Sequence, residues 1–205
     1  QNRGGKGIKG MQTREEDVVT KLFLSSNHSY LLYFTDMGRV YRTKTYNIPE
    51  AGRTAKGTPV VNIIEKSPEE KISEIIPVKE FSDNEYLVMV TKNGIIKKTP
   101  ASEYESIRKS GKIAITLKEG DELISIFKTT GNDNIFLATR NGMAICFNEN
   151  DARAVGRTAS GVKAIDLADG DYVVGAEPVR EDSKVLLVTD GGYGKCTDLT
   201  SFRIQ

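Results

Sequence analysis

An all-β propeller of four-stranded blades is the fold class this sequence predicts, from three signals that recur in step about every fifty residues. An apolar run ends in Thr-x-x-Gly four times, at Thr35, Thr91, Thr139 and Thr189. A basic residue stands shortly before a glycine that opens an alternating stretch, at Gly7, Gly57, Gly111 and Gly161. An acidic turn precedes a further apolar run, as in Asp121-Glu122 before Leu123–Phe127 and Asp171 before Tyr172–Ala176.

Taken in chain order, each signal specifies an element. The apolar runs Tyr30–Phe34, Tyr86–Val90, Ile135–Ala138 and Val185–Val188 are short and rich in β-branched and aromatic residues. They suit strands and disfavour helices. The glycine that follows each run, in Asn-Gly or Gly-Gly pairs at three copies, supplies the positive φ of a hairpin turn. The stretches after Gly111 and Gly161 read as short strands, and the run after each acidic turn as another. About four strands per repeat match the size of a propeller blade, and a blade buries its faces only by stacking on neighbours. The expected organisation is one propeller over 1–205, or a fragment of one. It has a half-repeat at 1–25, repeats at about 26–80, 81–130 and 131–180, and a half-repeat at 181–205. With half-units at both ends, the chain reads as excised from a longer array.

Composition narrows the function. Hydrophobic residues make up 38% and charged residues 28%, a globular profile with no apolar run of bilayer length. The polar start Gln1-Asn2-Arg3-Gly4-Gly5-Lys6 lacks a signal peptide's apolar stretch, so a cytoplasmic location is expected. The net charge of +1 gives no global field for nucleic acid, although a neutral total can hide a sorted surface. Two cysteines and one histidine are too few for a Cys/His zinc site. Cys146 and Cys196 hold equivalent repeat positions and are expected as buried strand residues, and His28 as a surface turn residue. The acidic pairs Asp121/Glu122 and Glu15/Glu16 are expected in solvated turns, and Tyr41 and Tyr46 just past a hairpin. No set of nucleophile, base and oxyanion donors can be assembled.

The segment Gln1-Asn2-Arg3-Gly4-Gly5-Lys6-Gly7 carries the most informative chemistry. Its three glycines permit close backbone approach and free main-chain N–H groups for an anion. Arg3 and Lys6 add positive charge, and Gln1 and Asn2 can hydrogen-bond phosphate or sugar. Nothing in it selects a base, so the natural ligand is a phosphate backbone.

This heptapeptide resembles the box motif of the DNA gyrase A C-terminal domain, with Asn2 where that family usually has Arg. Gly52–Gly57, Gly156–Gly161 and Val188–Lys195 are also similar to that domain. The resemblance runs from Gln1 to Gln205. It implies a propeller with swapped strands, a β-pinwheel, whose basic rim wraps double-stranded DNA in support of ATP-dependent negative supercoiling. It implies partners, namely the remainder of gyrase A and the gyrase B protein in an A2B2 assembly, and a nucleoid-associated place in the cell. It implies membership of an ATP-dependent type II DNA topoisomerase in which this chain is non-catalytic. ATP and Mg2+ would belong to other parts, leaving no cofactor here, and the family's DNA-cleaving tyrosine lies in a different domain.

Wrapping needs many phosphate contacts along an arc, because bending 20–30 base pairs through a right angle costs on the order of several kcal/mol. The expected DNA-binding residues are Gln1, Asn2, Arg3, Gly4, Gly5, Lys6, Gly7, Arg42, Arg53, Lys56, Lys97, Lys98, Arg108, Lys109, Arg157 and Lys195. Lys9, Arg39, Lys44, Lys92, Arg140, Arg153 and Arg203 are further candidates. Two rivals stand beside this reading. One is the related domain of topoisomerase IV, whose box is degraded; the other is a propeller scaffold that binds protein or small ligands.

Overall fold

The computed structural model describes Met11 and residues 18–205. Thirteen strands run in order: β1 (Tyr30–Thr35), β2 (Arg39–Lys44), β3 (Ile72–Val78), β4 (Tyr86–Thr91), β5 (Ile95–Pro100), β6 (Lys112–Ile113), β7 (Leu123–Thr129), β8 (Asn134–Thr139), β9 (Ala144–Asn148), β10 (Val162–Lys163), β11 (Val173–Pro178), β12 (Lys184–Val188) and β13 (Gly194–Asp198). The only helical pieces among the described residues are short 3-10 turns, several directly after a hairpin.

The Thr-x-x-Gly motif builds the hairpins in a repeated way. The glycine N–H donates to the threonine carbonyl, at 3.0 Å for Gly38 to Thr35 and 3.0 Å for Gly94 to Thr91. The threonine hydroxyl then accepts the backbone N–H four residues on, at 3.3 Å from Arg39, 3.2 Å from Ile95, 3.2 Å from Met143 and 3.2 Å from Tyr193. The glycines Gly38, Gly94, Gly142 and Gly192 hold φ between 75° and 83°, a region that side chains with a Cβ resist.

The first two blades each borrow a strand from the next repeat. The first sheet has the order β3-β1-β2-β6 and the second β10-β5-β4-β7. The two-residue strand β6 therefore leaves its own repeat to pair with β2 of the blade before, Arg39 opposite Ile113. Likewise β10 leaves the third repeat to pair with β5, Val162 opposite Ile96. The third sheet, β11-β8-β9, and the fourth, β12-β13, have three strands and two. The stretches after Gly111 and Gly161 are thus much shorter as strands than their alternation suggested. Only two residues of each pair, and Ala114 and Ile115 turn into the core instead.

Period-two alternation distributes the apolar runs between blades. In β4, Leu87 and Met89 pack with Leu32, Phe34, Val78 and Leu123 between the first and second sheets. Val88 and Val90 face the other way, onto Ile135, Leu137 and Phe147 of the third. Both faces of the middle blade are buried, which is why β4 reads as an unbroken apolar run rather than an alternating one.

Candidate nucleic-acid interface

Three basic turns occupy equivalent places in the sequence repeat; those at Arg108 and Arg157 stand just before the chain crosses to the preceding blade, and the one at Arg53 is followed by the 3-10 turn Val60–Asn62. Arg53 sits in a turn closed by the Ala55 N–H on the Gly52 carbonyl at 3.0 Å. Arg108 opens one closed by Gly111 on Arg108 at 3.0 Å, and Arg157 lies inside one closed by Ala159 on Gly156 at 3.1 Å. Arg53, Lys56, Arg108 and Lys109 are exposed, and Arg157 is half-buried. Equivalent positions in a rotationally repeated array lie on a common arc. Lys195, exposed on β13, and exposed Arg140, Arg153 and Arg203 extend the set. The expectations on Gln1–Gly7, Lys9 and the Glu15/Glu16 pair fall outside the described residues.

Two glycines seat the crossings. A Cβ on Gly111 would lie 2.6 Å from the Tyr41 ring, and one on Gly161 would lie 2.4 Å from the Ile96 carbonyl oxygen. Directly after them, Lys112 on β6 and Lys163 on β10 add cations that reasoning from the sequence passed over. Lys163 is exposed and pairs with Asp166. Their place beside the junction glycines was the available signal.

Lys97 and Lys98 do not face solvent, which corrects their expected role as phosphate contacts. Lys97 is 1% exposed, and its ammonium donates to the carbonyls of Ala114, Gly156 and Arg157. Burial, with the Arg157 charge close by, lowers it to about 7 against a partial lift from Glu103. Lys98 is 4% exposed and forms an ion pair of 2.9 Å with Glu149, which is fully buried. Its ammonium also lies 4.4 Å from the Tyr86 ring centroid and donates to Asn150 Oδ1 at 3.1 Å. The cause is the position of β5: a middle blade has neighbours on both faces, so a cation there is enclosed whichever way it points. Arg42, half-buried on the equivalent strand β2, donates to the Glu105 carbonyl and stacks 4.8 Å over Tyr30, leaving it only partly available to a ligand.

His28 is exposed in a turn, as the sequence suggested. Asp121 does more than meet solvent, because its carboxylate accepts the backbone N–H of Asn93 at 2.9 Å and of Glu122 at 2.8 Å. Asp171 repeats this at 3.0 Å from Asn141. Partial burial works to raise the Asp171 carboxyl, but hydrogen bonds from Thr139, Asn141 and Tyr172 and the Arg140 charge prevail and hold it below the usual carboxylate range. Cys146 is buried, whereas Cys196 is exposed on the two-stranded sheet β12-β13, where less is packed over it. Tyr41 is buried, donating to the enclosed Glu70 carboxylate at 2.6 Å, while Tyr46 is exposed beside Lys44. Glu70 and Glu149 carry no sequence signal that singled them out, yet their carboxylates gather the Ser67 and Asp133 backbone N–H groups and the Thr35 and Thr129 hydroxyls.

The surface cations are Lys and Arg side chains, which donate hydrogen bonds and accept none. They suit an anionic polymer. Among the described residues, no helix is long and apolar enough to cross a membrane.

Comparison with known proteins gives concordant results. The family described as DNA gyrase C-terminal domain, beta-propeller, matches residues 1–26, 29–79, 85–130, 133–180 and 183–205. The DNA gyrase A protein of Staphylococcus epidermidis is 47% identical over 208 residues, covering 100% of this chain and 23% of that protein. The chain thus spans about a quarter of the length of that relative. Among solved structures, a C-terminal domain of DNA topoisomerase IV superposes with a TM-score of 0.86 at 30% identity, covering 96% of this chain and 62% of that one. A DNA gyrase A C-terminal domain superposes with a TM-score of 0.77 at 25% identity, covering 100% and 66%.

Proposed function

The chain belongs to the DNA gyrase C-terminal domain, beta-propeller family, and from that premise we propose that it binds double-stranded DNA without strong sequence preference and wraps it along its junction turns. The observation that carries this reading is the recurrence of a basic turn at one place in the sequence repeat, at Arg53, Arg108 and Arg157. A single basic pocket holds DNA but does not bend it. Charges repeated at regular steps along an arc offset the bending cost one phosphate at a time.

On this reading the chain makes and breaks no bonds and needs no cofactor of its own. It works with the remainder of gyrase A and with the gyrase B protein, in an A2B2 assembly that uses ATP and Mg2+ elsewhere to introduce negative supercoils. Its setting is the cytoplasm, on the nucleoid. The segment Gln1–Gly7 supplies the first contacts, with Arg3 and Lys6 as its cations.

The test is topological. The chain is bound to a relaxed nicked circle, the nick is sealed, and the linking number is read after the protein is removed. A shift that grows with protein is expected. Replacing Arg3 and Lys6 with Ala should reduce that shift more than it reduces affinity; equal losses would deny the segment a special part. The likeness to the topoisomerase IV domain favours a second reading, in which DNA is bound but not wrapped. Binding with an unchanged linking number would select it. No binding at low salt would leave only a protein-binding scaffold.

A further inference from the structure

We propose that Lys97 is a positioning residue: its buried ammonium fixes the Arg157 turn against the swapped segment of the repeat before, and so sets the spacing between successive DNA-binding turns. This rests on the wrapping reading above.

The three acceptors of the ammonium are all backbone carbonyls, and they come from two different repeats. Ala114 lies just after β6, whereas Gly156 and Arg157 form the next basic turn. A lysine whose only role was charge balance would be paired with a carboxylate, as Lys98 is with Glu149. The same junction carries three more ties between those segments. The Arg157 guanidinium donates to the Ile113 carbonyl. The Thr116 hydroxyl donates to the Thr158 carbonyl at 2.7 Å, and the Thr116 N–H to the Ala159 carbonyl at 3.3 Å. The Lys97 side-chain nitrogen donates to both sides of this junction.

The preceding junction is built to the same plan from different residues. Arg39, on β2, donates to the Ser110 carbonyl at 2.8 Å, and Arg42 to the Glu105 carbonyl. These carbonyls flank Arg108 and Lys109. At both junctions, then, cations of a blade's second hairpin strand hold the main chain of the next repeat's basic turn. The strand cations clamp, the turn cations Arg108 and Lys109 are exposed, and half-buried Arg157 itself joins the clamp through the Ile113 carbonyl. A phosphate track that bends DNA evenly requires fixed distances between contacts, and these clamps are what fix them.

The test compares the unsubstituted 205-residue chain with Lys97→Met and, at the other junction, Arg39→Met. Three quantities are read: thermal unfolding, the salt dependence of DNA affinity, and the linking-number shift on religated circles. Folded variants are expected to keep the salt slope, because Lys97 is buried and the Arg39 guanidinium is held by the Ser110 carbonyl and Glu70, while the linking shift per bound chain falls to about half or less, as expected when evenly spaced contacts no longer offset the bending cost. A slope reduced by about 0.9 per substitution would mean a direct phosphate contact and would overturn the proposal. So would an unchanged linking shift in either folded variant. If Lys97→Met does not fold, Arg39→Met decides alone. If the unsubstituted chain binds DNA but gives no shift, the wrapping reading and this inference fall together. A shift present in that chain and kept in the variants removes only the inference.

Discussion

Lys97 changes its charge in the folded chain near neutral pH, and the sign of the consequence follows from its surroundings. Its folded value is lowered to about 7 by burial and by Arg157, against about 10.4 for a free lysine. Below about pH 7 folded and unfolded chains both hold the proton. Between the two values the unfolded chain holds it and the folded chain has lost it, so this contribution to stability rises with pH. Urea denaturation of the chain and of Lys97→Met across that window should show the unsubstituted chain gaining on the variant. The gain is on the order of a few kcal/mol. A difference that is flat with pH would show that the three carbonyls keep the ammonium charged throughout.

At the scale of elements, the crossing segments depend on two close approaches. Gly161 has φ 93°, and a Cβ there would lie 2.4 Å from the Ile96 carbonyl oxygen. Gly120 has φ 76° with nothing within 4 Å of the same position. The left-handed backbone alone costs a residue with a Cβ roughly 1–2 kcal/mol. Gly120→Ala should therefore lose about that much in a urea titration. Gly161→Ala should lose clearly more, because the clash is with backbone and cannot be relieved by a side-chain rotation. Equal losses would mean that β10 detaches from β5 at little cost, and that the swap contributes little to holding the blades together. The hairpins depend on no such long-range approach. Their Thr-x-x-Gly closure is local, and it is repeated with nearly the same hydrogen bonds in all four copies.

For the whole molecule, the expected DNA affinity is a sum of separate phosphate contacts spread over several blades. Neutralising the basic turns in succession, first Arg53 and Lys56, then Arg108 and Lys109, then Arg157, should lower the slope of log affinity against log salt in steps. Each contact removed lowers it by about 0.9. The loss should be the same for duplexes of unrelated sequence, read by fluorescence anisotropy. A single substitution that abolishes binding, or a loss confined to one DNA sequence, would contradict a distributed track. The near-zero net charge is compatible with such a track, because acidic side chains are partly used internally. Glu70 and Glu149 are buried, and Asp121 and Asp171 close turns.

The sequence by itself determined the all-β class, the period of the repeat, the hairpin turns and the places of the basic turns. These are local properties: strand propensity, the positive φ of a glycine and the offset of one motif from the next are written within a few residues. Only the tertiary structure decided which strand pairs with which blade, and which cations remain free. Lys97 and Arg42 are both cations on the second strand of a Thr-x-x-Gly hairpin, and nothing local separates their burial. One is enclosed because β5 lies between two neighbouring blades, and the other, on β2, is only half-buried. Burial is set by contacts between residues about fifty positions apart, and no pattern within one repeat contains them.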